Sequence, residues 1–346
     1  MDSLDDLSVI RRFDSGDALK VVGDQAEQLA WQPEFLDQWN DSEQILNVVL
    51  AGMGGSALGG SLARDWLNLP VPFEVVRDYD LPAYIGQQTL VILVSVSGNT
   101  EETLAALDFA GNHGARICAV AGGGKLWEIA ESQNLPRILL PKYQQPRYGV
   151  FAHLRAIATI LASQNLATGA FDELAAQADF VKDFLKKLAP EVPAIDNPAK
   201  QLALDAAGKT PLIFASNQFR AVAYKWKISF NENAKNVAYC NAFPEFDHNE
   251  LTGWSSHPVE KPFAVFDLRS NFDNDRIQRR FEISDRLLSG LRPAAHNVDL
   301  AGDNVLAQML CGCGLGDFAS IYLGILNGVN PAPVELVEKL KSELSK

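Results

Sequence analysis

Short apolar runs alternate with longer amphipathic segments along the first half of the chain. A short apolar run bounded by turn residues is typical of a buried strand, and apolar positions three or four apart are typical of a helix. The pattern predicts a helical, polar-faced segment at 17–37, then strands at 45–51, 73–77, 90–95, 116–121 and 137–140. It predicts helices at 55–67, 100–112, 125–133, 149–166 and 171–188. Strands and helices in this alternation form a doubly wound parallel sheet, so the predicted fold class is α/β.

The second half of the chain repeats this scheme after a proline-rich segment at 190–198, which we interpret as a linker. Strands are predicted at 211–215, 237–239, 263–267 and 298–300, and helices at 219–232, 274–290 and 304–328. The strand–turn–helix units at 46–67 and 90–112 correspond in order to those at 211–232 and 263–290. We therefore expect two doubly wound parallel-sheet subdomains related by internal duplication, at 1–166 and 167–346, the second ending in a helical tail.

The composition fits one or two domains with an ordinary buried core, since 47% of the 346 residues are apolar. A formal charge of −13 argues against nucleic acid and anionic membrane as partners, because both need basic patches. We expect no apolar run of the roughly 20 residues that a membrane span needs, and the acidic N-terminus has no signal-peptide pattern. The four cysteines give neither a disulfide framework nor a zinc site, so we predict a reduced, cytoplasmic protein.

A hydroxyl-rich segment, SVSGNTEET at 95–103, joins a predicted strand to a predicted helix. The first N–H groups of a helix lack partners and its dipole favours negative charge. Ser95, Ser97 and Thr100 therefore form a candidate phosphate site. Serine and threonine are also ordinary helix caps, and this turn alone does not separate the two interpretations.

A glycine-rich segment, GMGGSALGG at 52–60, forms a second turn of this kind. Glycines let the backbone approach a ligand closely, and Ser56 adds a hydroxyl at the start of the next helix. Both turns belong to the carboxyl edge of one predicted sheet, where open α/β sheets bind ligands. Gly52, Gly54 and Ala57 also fit a loose dinucleotide fingerprint, but the acidic residue that should close the next strand comes too late. The sequence therefore favours phosphate over a dinucleotide.

Acids, amides and one histidine cluster in the second half, at 231–235 (NENAK) and 244–250 (PEFDHNE). Glu232 closes a predicted helix, where the dipole disfavours an acid, although such a residue is more often a solvated surface acid. His248 lies between an acid and an amide and is a candidate for proton transfer. No spacing of histidine and acids predicts a metal site. A phosphate site, a carboxylate and a histidine, with no cofactor, fit aldose–ketose isomerisation of a sugar phosphate.

Five motifs give the chain a family resemblance. They are GMGGS at 52–56, SVSGNTEET at 95–103, NENAK at 231–235, HNE at 248–250 and YLGILNGVNP at 322–331. In this order they are similar to the motifs of sugar isomerase (SIS) domain proteins and, more narrowly, of the bifunctional phosphoglucose/phosphomannose isomerases of archaea and bacteria. The likeness spans about residues 46–341. The hydroxyl-rich motif marks the broad superfamily, and the pair at 231–235 and 248–250 is more specific.

The resemblance implies two SIS subdomains and a cofactor-independent isomerase of glucose 6-phosphate, and of mannose 6-phosphate, that acts through an enediolate. It implies that the substrate phosphate is held by Gly55, Ser56, Ser95, Ser97 and Thr100. It assigns proton transfer to Glu232 and ring opening to His248 and Lys339. It assigns stabilisation of the enediolate to Arg147. In this family the histidine reaches the site from the partner subunit, so the resemblance implies a homodimer with sites completed across the interface.

The chain departs from the family pattern at three positions. Val96 stands where a tyrosine is usual, and Tyr148 follows Arg147 where small residues are usual. Ala332 replaces a threonine that the family ties to the handling of glucose and mannose epimers, so the preference between the two sugars stays open. Two alternatives remain. A non-catalytic sugar-phosphate sensor would have lost Glu232 or His248, and a glucosamine-phosphate synthase-like transferase needs a glutaminase domain.

Overall fold

The computed structural model describes residues 2–39, 43–255 and 262–344, with side chains from Leu4 onward. The chain groups into two compact units. The first-sheet unit is Asp24–Lys182, and the second-sheet unit combines Met1–Gly23 with Asp183–Lys346. The division at residues 166 and 167 stays a prediction.

The described residues form strands and helices in alternation. The strands are β1 (Phe35–Leu36), β2 (Asn47–Gly52), β3 (Phe73–Val76), β4 (Thr89–Ser95), β5 (Arg116–Ala121), β6 (Arg137–Leu139), β7 (Thr210–Ser216), β8 (Tyr239–Phe243), β9 (Phe263–Arg269) and β10 (Ala295–Asp299). The helices are α1 (Asp2–Asp5), α2 (Leu7–Phe13), α3 (Ala18–Gly23), α4 (Glu27–Ala30), α5 (Gly54–Trp66), α6 (Glu101–Asn112), α7 (Gly124–Ser132), α8 (Val150–Ser163), α9 (Ala170–Ala176), α10 (Ala178–Lys186), α11 (Pro198–Ala206), α12 (Arg220–Asn233), α13 (Glu250–Gly253), α14 (Asp275–Leu287), α15 (Val305–Leu326) and α16 (Glu335–Leu344). Short 3₁₀ turns occur at Pro146–Tyr148, Asn217–Phe219 and Glu245–His248.

The first sheet has the strand order β1-β6-β5-β4-β2-β3. β4 and β5 are buried along their whole length, as expected for parallel strands covered by helices on both faces. All neighbouring pairs are parallel except β1 and β6, which pair antiparallel at the edge. Val49, Leu93 and Ala119 from the strands pack with Ala106 and Leu126 from the helices in one core.

The second sheet has the strand order β10-β9-β7-β8, and all of its pairs are parallel. β7, β8, β9 and β10 thus occupy the same relative positions as β2, β3, β4 and β5 in the first sheet. The repeated strand order confirms the expected pair of doubly wound parallel sheets. Phe214, Phe243, Phe246, Val265 and Phe281 form an aromatic core against this sheet.

The central helix of the second-sheet unit is α15, which holds α12 in place. The indole N–H of Trp226 donates to the carbonyl of Gly312 at 2.7 Å, and a Cβ at Gly316 would lie only 2.3 Å from the Trp226 ring. Lys225 and Asp317 form a buried ion pair between the two helices, and the Ser229 hydroxyl donates to Asp317 at 2.7 Å. These contacts fix the register of α12, whose last turn carries Glu232.

Two expectations about individual segments were wrong. The predicted helix at 17–37 is divided into α3 and α4 by a turn at 24–26, and Pro33, which cannot continue a helix, separates α4 from the edge strand β1. No helix was predicted between 188 and 219, yet α11 begins at Pro198, and the Asn197 side chain caps it by accepting from the N–H groups of Ala199 and Lys200.

The expectation that no apolar segment reaches the length of a membrane span was also wrong. α15 is long and apolar enough to cross a membrane, by length and composition. Of its most apolar window, 94% is buried inside the protein, which is the behaviour of a core helix.

Candidate active site

The glycine-rich turn leaves β2 and enters α5 with no room for a side chain at Gly52 or Gly55. A Cβ at Gly52 would lie 2.7 Å from the carbonyl oxygen of Val94 on the neighbouring strand. Gly54 adopts a φ of +48°, which side chains rarely tolerate. A Cβ at Gly55 would lie 2.9 Å from the backbone nitrogen of Arg147. The N-terminus of α5 is therefore bare backbone, with the buried Ser56 behind it.

The hydroxyl-rich turn leaves β4 and enters α6. The hydroxyls of Ser95 and Thr100 lie 2.8 Å apart, and the Gly98 N–H donates to Ser95 Oγ at 3.0 Å. The Asn99 N–H donates to Ser97 Oγ at 3.2 Å. Thr100 occupies the N-cap position of α6, but its side chain makes no capping hydrogen bond. The first N–H groups of α6 are thus left for another acceptor.

The sheet register brings these two turns together. Gly52 and Val94 are paired residues on the parallel strands β2 and β4, so both turns leave the same edge of the sheet side by side. Gly55, Ser56, Ser95, Ser97 and Thr100, all predicted from the sequence, lie in these two turns. Two helix N-termini and several hydroxyls at one edge form a site suited to an anion.

Arg147 lies next to this site, in the 3₁₀ turn Pro146–Tyr148 that packs against Gly55. Its side chain is buried. One guanidinium nitrogen lies 3.3 Å from Gln145 Oε1, another donates to the Tyr148 hydroxyl at 3.3 Å, and the guanidinium stands 4.6 Å from the centre of the Tyr148 ring. The tyrosine that departs from the family pattern therefore supports the arginine.

His153, which the sequence did not mark as functional, lies beneath the glycine turn. It is fully buried on α8, and its Nδ1 lies 3.3 Å from the carbonyl oxygen of Gly55. Burial lowers the pKa of His153 to about 4, against a smaller opposing effect of the Gly55 hydrogen bond. A neutral His153 with its proton on Nδ1 can donate to Gly55 and hold the turn at neutral pH.

Glu232 lies in the last turn of α12, in the second-sheet unit, and lines a cavity of about 820 Å³. The other walls of the cavity come from residues near the end of the chain, at 329–330 and 333–337, and from 236–239. These walls include Asn330 and Pro333, and apolar side chains such as Val237 and Leu336 make up much of the surface. A carboxylate at the edge of a largely apolar cavity is suited to proton transfer on a bound molecule.

Lys235 resolves the conflict between Glu232 and the helix dipole. Its ammonium group donates to the backbone carbonyl of Glu232 at 2.6 Å, at the C-terminus of α12. A cation at this end of a helix offsets the partial negative charge of the last carbonyls. An acid in the same turn is therefore tolerated.

The structure does not place the other candidate residues around this cavity. His248 lies exposed at the end of the 3₁₀ turn Glu245–His248, and Lys339 lies exposed on α16, two residues beyond the cavity lining. Ala332 is 8% exposed, between the lining residues Asn330 and Pro333, and its N–H donates to Asn330 Oδ1 at 3.0 Å. Among the described residues, no group of three or more histidines, cysteines and acids could hold a metal ion.

Comparisons with known proteins identify the family. A bifunctional phosphoglucose/phosphomannose isomerase of Caldicellulosiruptor bescii is 36% identical over 308 residues, which are 88% of this chain and 91% of that protein. The protein of the same name from Aquifex aeolicus is 31% identical over 94% of this chain and 98% of its own length. The chain belongs to the bifunctional phosphoglucose/phosphomannose isomerase family. Residues 195–344 match the family described as bacterial phospho-glucose isomerase C-terminal SIS domain.

The fold of this isomerase-family chain has solved counterparts. A glucose-6-phosphate isomerase-like protein of Thermus thermophilus superposes with a TM-score of 0.68 at 20% identity, over 99% of both chains. At this identity the likeness concerns the fold, which is that of the SIS proteins anticipated from the motifs.

Proposed function

We propose that this protein isomerises glucose 6-phosphate and mannose 6-phosphate to fructose 6-phosphate, and back, without a cofactor. The observation that carries the proposal is Glu232, a carboxylate held at the end of α12 on the wall of a cavity large enough for a hexose phosphate. Membership of the isomerase family and the anion-binding turns of the first sheet support it. We place the reaction in the cytoplasm, as the sequence predicts.

The chemistry needs one base and several neutral donors. The ring opens when a proton leaves the C1 hydroxyl and another reaches the ring oxygen, a step that we assign to His248 and Lys339. Glu232 then takes the proton from C2 as the C1 carbonyl becomes the enediolate oxygen, and Arg147 stabilises the negative charge there. Glu232 returns the proton to C1, and the proton of the C2 hydroxyl moves to the oxygen on C1, so that C2 becomes the carbonyl carbon of the ketose.

The phosphate of the substrate is assigned to Gly55, Ser56, Ser95, Ser97 and Thr100. Backbone N–H groups and hydroxyls at helix N-termini bind a phosphate without a lysine. The partner that we propose is a second copy of the chain, which supplies His248 to the site; the exposure of this histidine is compatible with that role.

An assay with each sugar phosphate, with chelator present and without nucleotide, tests this function. Fructose 6-phosphate should appear from both aldoses, and in D₂O the recovered aldose should carry deuterium at C2, since a base exchanges its proton with solvent. Glu232→Gln keeps the size of the side chain but cannot accept a proton, so turnover should fall about 10²–10⁴-fold. Glu282→Gln, a surface acid paired with Arg279 on α14, is the matched control.

Three results would contradict the proposal. A protein that binds both sugar phosphates but converts neither would be the non-catalytic sensor. Conversion without solvent deuterium would indicate hydride transfer instead of a base. Normal turnover of Glu232→Gln, with wild-type thermal unfolding, would remove this residue from the reaction.

A further inference from the structure

Lys235 adopts a backbone conformation that its residue type disfavours. Its φ is +52°, just after the last residue of α12. This position after a helix is usually taken by glycine or asparagine, because a larger side chain is strained in the left-handed region. A lysine here indicates that its side chain makes contacts that compensate for the strain.

The side chain of Lys235 joins the end of α12 to a turn near the end of the chain. Its ammonium group donates three hydrogen bonds, to the carbonyls of Glu232 at 2.6 Å, Pro331 at 3.0 Å and Pro333 at 2.7 Å. An ammonium group has three donors in all. One side chain thus uses its full hydrogen-bonding capacity on three backbone carbonyls from two segments.

The turn at 331–333 depends on such an external donor. Pro331 and Pro333 have no N–H groups, so the turn can form few backbone hydrogen bonds of its own. Asn330, which precedes this turn, and Pro333, which ends it, line the same cavity as Glu232. Lys235 therefore ties this part of the cavity lining to the end of α12, while the Asn330 side chain also donates to Ser15 Oγ at 3.1 Å.

We infer that Lys235 is a positioning residue that clamps the 331–333 turn to the end of α12 and thereby sets the discrimination between C2-epimeric sugar phosphates. This inference rests on the proposed function, which places C2 of the sugar beside Glu232. The two aldoses differ only in the configuration at that carbon, so the cavity lining near the carboxylate is the part that distinguishes them. A loosened lining changes the fit of one epimer more than the other.

The clamp is tested with Lys235→Gly and Lys235→Met. Glycine removes the side chain but suits the positive φ, so that variant should fold even if Lys235→Met does not. Lys186→Met is the control, since Lys186 is a surface lysine of α10 that pairs with Asp183 at 2.7 Å and does not line the cavity. Two quantities are measured: amide hydrogen exchange in peptides that cover 330–340, and the ratio of kcat/KM for glucose 6-phosphate to that for mannose 6-phosphate.

Both quantities should change in the Lys235 variants and neither in the control. Loss of one hydrogen bond of ordinary net strength corresponds to a change of about 2- to 13-fold, and we expect a change of at least this size both in exchange rate and in the epimer ratio. Unchanged exchange in Lys235→Gly would overturn the clamp. Faster exchange with an unchanged ratio would overturn the role in specificity. A wild-type protein that isomerises neither sugar would refute the proposed function itself. Hydrogen exchange does not require activity, so it would still show whether the clamp exists.

Discussion

Thr100 is the residue at which helix capping and ligand binding can be separated. Its hydroxyl contacts Ser95 at 2.8 Å and does not cap α6. Thr100→Val should therefore leave the helix intact but remove one of the two partners of the Ser95 hydroxyl and one proposed donor to phosphate. The cost of about 1–3 kcal/mol corresponds to roughly 5- to 150-fold weaker binding of a phosphosugar inhibitor.

The control for this prediction is Thr159→Val, because the Thr159 hydroxyl donates to the carbonyl of Arg155 within α8. Inhibition constants and thermal unfolding are compared for both variants. An inhibition constant that Thr100→Val does not change would place the phosphate elsewhere in the protein.

Asp267 makes the stability of the protein depend on pH. It is 1% exposed on β9, and burial raises its pKa to about 7, against the opposing charge of Arg292 at 3.8 Å. In the unfolded chain the pKa returns to the ordinary value of 3.8. Between these two values the folded state holds the proton and the unfolded state does not, so the free energy of unfolding should fall as pH rises through this range.

Asp267→Asn imitates the protonated carboxyl group and should abolish this dependence. Denaturant unfolding of both proteins at pH 5, 6, 7 and 8 measures it. At each higher pH, the free energy of unfolding of the variant should rise relative to that of the wild type. Arg292 keeps a partner in the variant, because Asp285 pairs with it at 2.8 Å. A constant difference between the two proteins across the range would mean that Asp267 is not protonated in the folded state.

The place of candidate site residues in the fold could be predicted where the signal is local in sequence. Ser95 ends the apolar strand β4 and Thr100 immediately precedes α6, and both carry hydroxyls typical of a turn. The contact between Gly55 and Arg147, and the hydrogen bonds of Lys235 to Pro331 and Pro333, join distant parts of the chain. No periodicity or turn signal encodes such pairings, so the sequence could name these residues but not their contacts.

At the scale of the element, prediction succeeded for long periodic segments and failed at short ones. Helices such as α5 and α6 were placed within one or two residues, because burial and hydrophobic pattern agree there. α11 was missed because Asn and Pro signal a turn and also a helix start, and the choice depends on packing. β1 was missed because an edge pair of two residues is stabilised by β6, not by its own sequence.

The packing of α12 on α15 offers a test of how one element positions Glu232. Gly316→Ala would bring a methyl group within 2.3 Å of the buried Trp226 ring, so the two helices must move apart. Overpacking of this kind costs about 1–3 kcal/mol. The free energy of unfolding should fall by that amount, and isomerase turnover should fall with it because α12 carries Glu232.

Gly111→Ala is the matched control within a helix, since a Cβ at Gly111 meets nothing within 4 Å. This variant should be neutral or stabilised by up to about 1 kcal/mol. Equal effects of the two substitutions would show that helix propensity, not the contact with Trp226, governs the result at Gly316.

For the whole molecule, the two sheets repeat one strand order but carry different chemistry. The turns after β2 and β4 hold glycines and hydroxyls, whereas the corresponding turns after β7 and β9 lead with Asn217 and Ser270. The duplication could be predicted because each strand–turn–helix unit is local. Assembly could not be derived from the pattern, because the sequence of a segment does not show which surface of another chain would contact it. The homodimer remains an expectation from the family resemblance.

Complementation between two inactive variants tests the composite site. If His248 acts in the partner's site, a heterodimer of Glu232→Gln and His248→Ala protomers contains one site with both defects and one site with neither. When subunits exchange at random, about half of the dimers are heterodimers, and one of the two sites in each heterodimer is intact. Activity should therefore recover to about one quarter of the wild-type value, if the intact site works at its normal rate. Heterodimer content is measured by native mass spectrometry on differently tagged chains. Absence of recovery in confirmed heterodimers would mean that Glu232 and His248 act within one chain, and the exposed position of His248 would then require a movement of the segment 245–250 during turnover.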